Sequence, residues 1–136
     1  MIETIKPIMT IDELYARGGE PTGDTLLDAV VKVMIETQLL EGKHVAKLLD
    51  VPERKLSGAM ELLMGLSLSQ LIHEWRFRQA CQLLKETELP LDEVAQKCGF
   101  DNSRPLNLVF KKRLNTTLYQ YRYGRPRTLS PTAYIR

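Results

Sequence analysis

"EVAQKCGF", residues Glu93 to Phe100, repeats in altered form a stretch already present at His44 to Val51, "HVAKLLDV". Val45 lines up with Val94, Ala46 with Ala95, Leu49 with Cys98, Asp50 with Gly99 and Val51 with Phe100. After each copy an apolar pair returns at helical spacing, Leu56 and Met60 in the first and Leu106 and Phe110 in the second. Each copy reads as helix, tight turn, helix. A small residue, Ala46 or Ala95, lets the second helix cross close to the first, and Gly99 permits the positive φ at which a helix stops. Phe100 and the apolar pair beyond it then pin the second helix to the core.

Between and before the copies the pattern is also helical. From Leu68 to Thr87 the residues Leu71, Ile72, Trp75, Ala80, Leu83 and Leu84 form one apolar stripe, a helix of about 20 residues and about 30 Å. Another helix starts at Asp24 or Thr25, carries Leu27, Val30, Val31, Met34 and Ile35 on its apolar face, and is expected to close at Gly42. Residues 1–23 contain Pro7, Gly18, Gly19, Pro21 and Gly23, which reads as an irregular arm. Within it Thr10 and Glu13 can cap one short helical turn ending at Gly18. The expected fold is therefore all-α: an N-terminal arm over 1–23, two helix-turn-helix units joined by a long central helix over 24–122, and a basic C-terminal tail over 123–136.

Composition excludes much else. A chain of 136 residues, 43% hydrophobic, suits one domain burying roughly two-thirds of its unfolded surface. No run approaches the roughly 18 apolar residues of a membrane span, and "MIETIKPIMTIDE" lacks the pattern of an export leader, so the expectation is a cytoplasmic protein without a membrane partner. Cys81 and Cys98 lie in helical patterns without metal spacing and are expected to be reduced, small and buried. His44 and His73 are far apart, no nucleophile motif or glycine-rich phosphate loop occurs, and neither catalytic residues, metal nor cofactor is expected. His73 reads as a helix-surface residue, and Trp75, Met60 and Met64 as core. The net charge of +2 hides an asymmetry. From Asp101 onward eight basic residues (Arg104, Lys111, Lys112, Arg113, Arg122, Arg125, Arg127, Arg136) face one acid, a net +7 that leaves −5 for the first hundred residues. That imbalance favours a polyanionic partner, nucleic acid before an anionic membrane surface.

The stretch "LIHEWRFRQACQLLKETELPLDEVAQKCGF" resembles the linker helix and second motif of the AraC/XylS-type transcription regulators, with Arg76, Ala80, Leu83, Leu84, Thr87, Val94, Ala95, Gly99 and Phe100 at matching places. "FKKRLNTTLYQYR" resembles the closing signature of the same DNA-binding domain through Phe110, Lys111, Lys112, Thr117, Tyr121 and Arg122. The resemblance spans about Leu27 to Arg122. It implies a regulator that places the second helix of each unit in successive major grooves of double-stranded DNA, which suits a linker of about 30 Å against the roughly 34 Å of one duplex turn. It also implies kinship with single-domain members acting without a bound small molecule, as a monomer or weak dimer, with RNA polymerase or another regulator as a further partner.

On this reading "SRPLNLVFKKRL" is the second recognition helix, with Pro105 in its first turn, where the missing N–H costs nothing. Asn102, Ser103 and Arg104 stand at its entrance; Arg104 suits a guanine, Asn107 an adenine and Lys111 a phosphate, with Lys112 beside it. Asn102 or Ser103 serves equally well as the N-cap, and Lys112 and Arg113 as solvated surface. The first recognition helix, "PERKLSGAMELLMG", offers Arg54, Lys55 and Ser57. It departs from the family at Gly58 and at Met60-Glu61, as the second unit does at Leu108 and the closing signature at Leu118. An uneven reader is expected, its second unit dominant. The alternative is a domain that keeps the fold but binds another protein through its first unit, for which Leu62, Leu66 and Leu68 would form an exposed patch. In the tail, "YGRPR" resembles the Gly-Arg-Pro core of minor-groove AT-hook segments, with Arg125 and Arg127 as its DNA contacts; read by itself, the segment is a solvated basic tail that raises non-specific affinity.

Overall fold

Thr10 and Glu13 form the reciprocal cap that their spacing predicts: the Glu13 amide donates to Thr10 Oγ1 at 3.1 Å and the Thr10 amide donates to Glu13 Oε1 at 2.8 Å. They open α1 (Ile11–Ala16). The computed structural model describes residues 7–124, and among them every regular element is a helix. After α1 come α2 (Thr25–Glu36), α3 (Gly42–Leu49), α4 (Glu53–Met64), α5 (Leu68–Glu86), α6 (Leu91–Lys97), α7 (Ser103–Leu114) and α8 (Leu118–Tyr123). The chain divides inside α5 into two compact units, one ending at Gln79 and the other beginning at Ala80.

The first unit holds α1 to α4 and the first part of α5 around Leu27, Val30, Leu56, Met60, Leu71 and Trp75, all buried. The arm belongs to this core, which its glycines and prolines did not foretell. Leu14 is buried within it, Tyr15 meets Trp75 edge-on with ring centroids 4.8 Å apart, and the Ile8 amide donates to the Leu63 carbonyl at 2.8 Å. Gly42 does not close α2. The helix stops at Glu36 because the Thr37 hydroxyl turns back to the Val33 carbonyl at 2.7 Å and also accepts from the Leu39 amide. Gly42 instead opens α3, where a Cβ would stand 3.1 Å from Leu68 Cδ2, a close approach that favours glycine.

The second unit buries Ala80, Leu84, Val94, Ala95, Leu106 and Phe110. Its helix-turn-helix, α6 against α7, ends the first helix as α3 ends before α4. Asp50 and Gly99 both take positive φ, 58° and 94°. The next amides donate five residues back, Val51 to the Ala46 carbonyl at 3.1 Å and Phe100 to the Ala95 carbonyl at 2.9 Å. Asp tolerates that backbone better than most side chains, so the first copy keeps the turn without glycine.

The repeat reaches further than the two quoted stretches. At an offset of fifty residues, Ser67 and Gln70 cap α5 as Thr117 and Gln120 cap α8. Thr87 ends α5 on the Leu83 carbonyl at 2.6 Å, as Thr37 ends α2 on that of Val33. So α5 closes one unit with its first half and opens the next with its second.

Candidate nucleic-acid interface

The second helix of each unit is held by its apolar pair, which decides what the opposite face shows. Successive side chains turn by about 100°. With Leu106 and Phe110 buried, α7 turns Arg104, Leu108, Lys111 and Lys112 outward, and all four are exposed. With Leu56 and Met60 buried, the corresponding positions of α4 are Arg54, Gly58, Glu61 and Leu62. The first set carries three positive charges and the second one of each sign. On α4, Glu53, Arg54, Ser57, Gly58 and Glu61 line an open depression of about 480 Å³. Arg54, Lys55, Arg104, Lys111 and Lys112 are all exposed and enter none of the ion pairs found among the described residues.

The entrance to α7 is internally saturated. Asn102 is the N-cap, its Oδ1 accepting from the Arg104 amide at 2.9 Å. The Ser103 amide donates to Asp92 Oδ1 at 2.8 Å, and this bond, with a second from the Ser103 side chain, lowers the Asp92 pKa. Pro105 has no N–H. The first-turn amides of Ser103 and Arg104 are thus committed, and the Arg104 side chain stands exposed beside them.

Two candidate base readers are engaged elsewhere. Asn107 Oδ1 accepts from the Leu118 amide at 2.8 Å, using the acceptor that a bidentate adenine contact requires. Ser57 Oγ accepts from the Leu68 amide at 3.1 Å in the first unit. Ser57 thus ties α4 to the start of α5, and Asn107 ties α7 to the start of α8. Arg122 also turns inward, its Nε and Nη1 donating to the Leu84 and Leu89 carbonyls at 3.0 and 2.6 Å. The apolar patch that the protein-binding alternative requires on the first unit is not formed, since Leu62 is exposed, Leu66 half-buried and Leu68 buried in the core. Arg125 and Arg127 lie outside the described residues. His73 is exposed, and Trp75, Met60 and Met64 are core, as read from the sequence. One outward residue of α7 went unread except as a family departure: Leu108, whose signal is an apolar residue out of phase with Leu106 and Phe110.

Residues 45–124, more than half of the chain, match the helix-turn-helix domain family. The chain belongs to that family in its AraC-type form, a class of DNA-binding transcription regulators and not of enzymes. The HTH-type transcriptional activator RhaR of Enterobacter sp. (strain 638) is 32% identical over 71 residues, 52% of this chain and 25% of the relative. The xylose operon regulatory protein of Escherichia coli K12 is 29% identical over 99 residues, 69% of this chain and again 25% of the relative. The chain thus matches about a quarter of the length of these two curated relatives. Among solved structures, the C-terminal domain of AraT, a response regulator from Geobacillus stearothermophilus, aligns with a TM-score of 0.64 at 26% identity, covering 81% of this chain and 93% of that one. The DNA-binding domain of AdpA, solved in complex with a target DNA, aligns with a TM-score of 0.62 at 26% identity over 74% of this chain and 91% of its own. No helix among the described residues is long and apolar enough to cross a membrane.

Proposed function

We propose that the chain is a sequence-specific transcription regulator that grips double-stranded DNA chiefly through α7, with α4 a minor contact. The observation that carries this reading is the contrast between the outward faces, Arg104, Leu108, Lys111 and Lys112 on one and Arg54, Gly58, Glu61 and Leu62 on the other. Phosphate contacts supply most of the affinity of such proteins, and a carboxylate at Glu61 opposes them. Arg104 is proposed to meet a base edge or a phosphate at the groove, Lys111 and Lys112 the phosphates, and Arg54 and Lys55 to add a weaker grip. Asn102, Ser103, Asn107 and Ser57 serve as braces that hold their helices at a fixed pitch. The α4 depression is left for a protein partner such as RNA polymerase or another regulator.

The test is selection of bound fragments from random duplex DNA, followed by footprinting of the recovered site. Arg104→Ala with Lys111→Ala should weaken binding at least tenfold more than Arg54→Ala with Lys55→Ala, each phosphate or base contact contributing roughly 1 to 3 kcal/mol. Protection should concentrate over one major groove. Equal losses in the two double variants, with two equal protected patches one turn apart, would refute the uneven reading.

A further inference from the structure

Leu108 is 64% exposed at the middle of the outward face of α7, on the side opposite Leu106 and Phe110. Arg104 precedes it by one turn and Lys111 and Lys112 follow it by one turn, so this leucine is framed by cations. A solvated leucine amid three positive charges has no use in the core of its own unit. A protein partner with a matching apolar patch would have to be acidic as well. Duplex DNA meets both conditions at once: its phosphates suit the rim, and the C5-methyl group of thymine is the one apolar feature that base edges present in the major groove.

We infer that Leu108 is a specificity-determining residue that packs on a thymine methyl group in the major groove. The inference rests on the proposed role of α7 and adds to it the base that its centre selects. The hydrogen-bonding groups of α7 then position the helix, while discrimination at this base pair comes from apolar contact. The equivalent position of α4 is Gly58, where an added Cβ would meet nothing within 4 Å. The first unit therefore has no apolar reader at this place.

The experiment uses the full chain and the tightest duplex recovered by selection, with each thymine replaced in turn by deoxyuridine, which removes the methyl and leaves base pairing intact. For the wild type, one replacement within the protected groove should lower affinity roughly fourfold, the ratio expected for one buried methyl group. For Leu108→Ala the same replacement should change affinity less than about 1.5-fold, because the side chain that buries the methyl has been removed. Leu108→Arg should shift the preferred base there from thymine toward guanine. Tight wild-type binding without a methyl-sensitive position, or equal sensitivity in Leu108→Ala, overturns the inference and leaves the proposed function standing. Failure of the wild type to select any duplex overturns both.

Discussion

Tyr121 shows how one side chain reports its surroundings. Burial is the main reason its pKa is pushed up to about 12, followed by a hydrogen bond with the Cys81 side chain and the charge of Cys81. The ring lies edge-on to Phe110 at 5.3 Å and beneath Lys85 Nζ at 4.7 Å. The neutral phenol is the form that the fold favours. Its contribution is therefore complete below the ordinary value of 10.0 and is lost as pH rises through about 12. Wild-type stability should fall across that window, and Tyr121→Phe should flatten the fall. Denaturant melts at pH 9 and pH 11.5 check this; equal pH dependence in the two proteins would show that Tyr121 ionises freely in the folded state. The sequence marked Tyr121 as part of a closing signature but could not show its partner, because Cys81 lies on α5, far away along the chain. Cys81 is half-buried, not the fully buried thiol expected, whereas Cys98 is fully enclosed.

At the scale of elements, an arginine in each unit donates to carbonyls at and just past the end of a helix, α2 in the first unit and α5 in the second. Arg76 is 1% exposed and donates to the carbonyls of Met34 at 2.9 Å, Thr37 at 2.9 Å and Leu39 at 3.0 Å. Arg122 donates to those of Leu84 and Leu89, the equivalents of Met34 and Leu39 at the fifty-residue offset, while its Nη2 is buried without a partner among the described residues. A planar guanidinium can bridge several carbonyls at a helix C-terminus, where the helix dipole also favours a cation. Arg76→Ala removes the donor from three backbone carbonyls and should cost about 3 kcal/mol. Arg122→Ala should cost less, about 1 to 2 kcal/mol, and Arg76→Lys should recover little. Chemical denaturation of the three variants tests the order; a larger loss at Arg122 would contradict it. The resemblance marked both arginines, but not the direction in which either turns. Which way a long side chain turns depends on acceptors brought near by folding.

For the whole molecule, the decisive quantity is where charge accumulates. The segment after Gly124 carries Arg125, Arg127 and Arg136, three of the eight basic residues past Asp101. A chain cut after Gly124 keeps the α8 C-cap and the inward bonds of Arg122, so circular dichroism should show that it still folds as a helical domain. If Arg125 and Arg127 both neutralise phosphates, the cut should reduce the slope of log affinity against log salt by roughly two units. Loss confined to sites flanked by A·T pairs would assign them to a narrow minor groove, and equal loss on G·C-flanked sites to general attraction. An unchanged slope would remove both from the interface. Lys111→Ala, by the same measurement, should lower the slope by about one unit.

The two helix-turn-helix units and the apolar pairs Leu56–Met60 and Leu106–Phe110 were legible in the sequence, because local periodicity and backbone-permissive residues determine them. So was the difference in charge between α4 and α7, since a buried pair on one face dictates which residues stand on the other. Other features required the folded chain. Gly42 stands at the start of α3 where Leu68 approaches it closely, Leu14 makes the arm part of a core, and Asn107 and Ser57 brace helices that begin eleven residues later. Each of these depends on a partner distant along the chain, whose position is set by packing. Periodicity carries the direction of a face, but only tertiary structure decides whether a polar side chain on it is spent within the protein or left for a ligand.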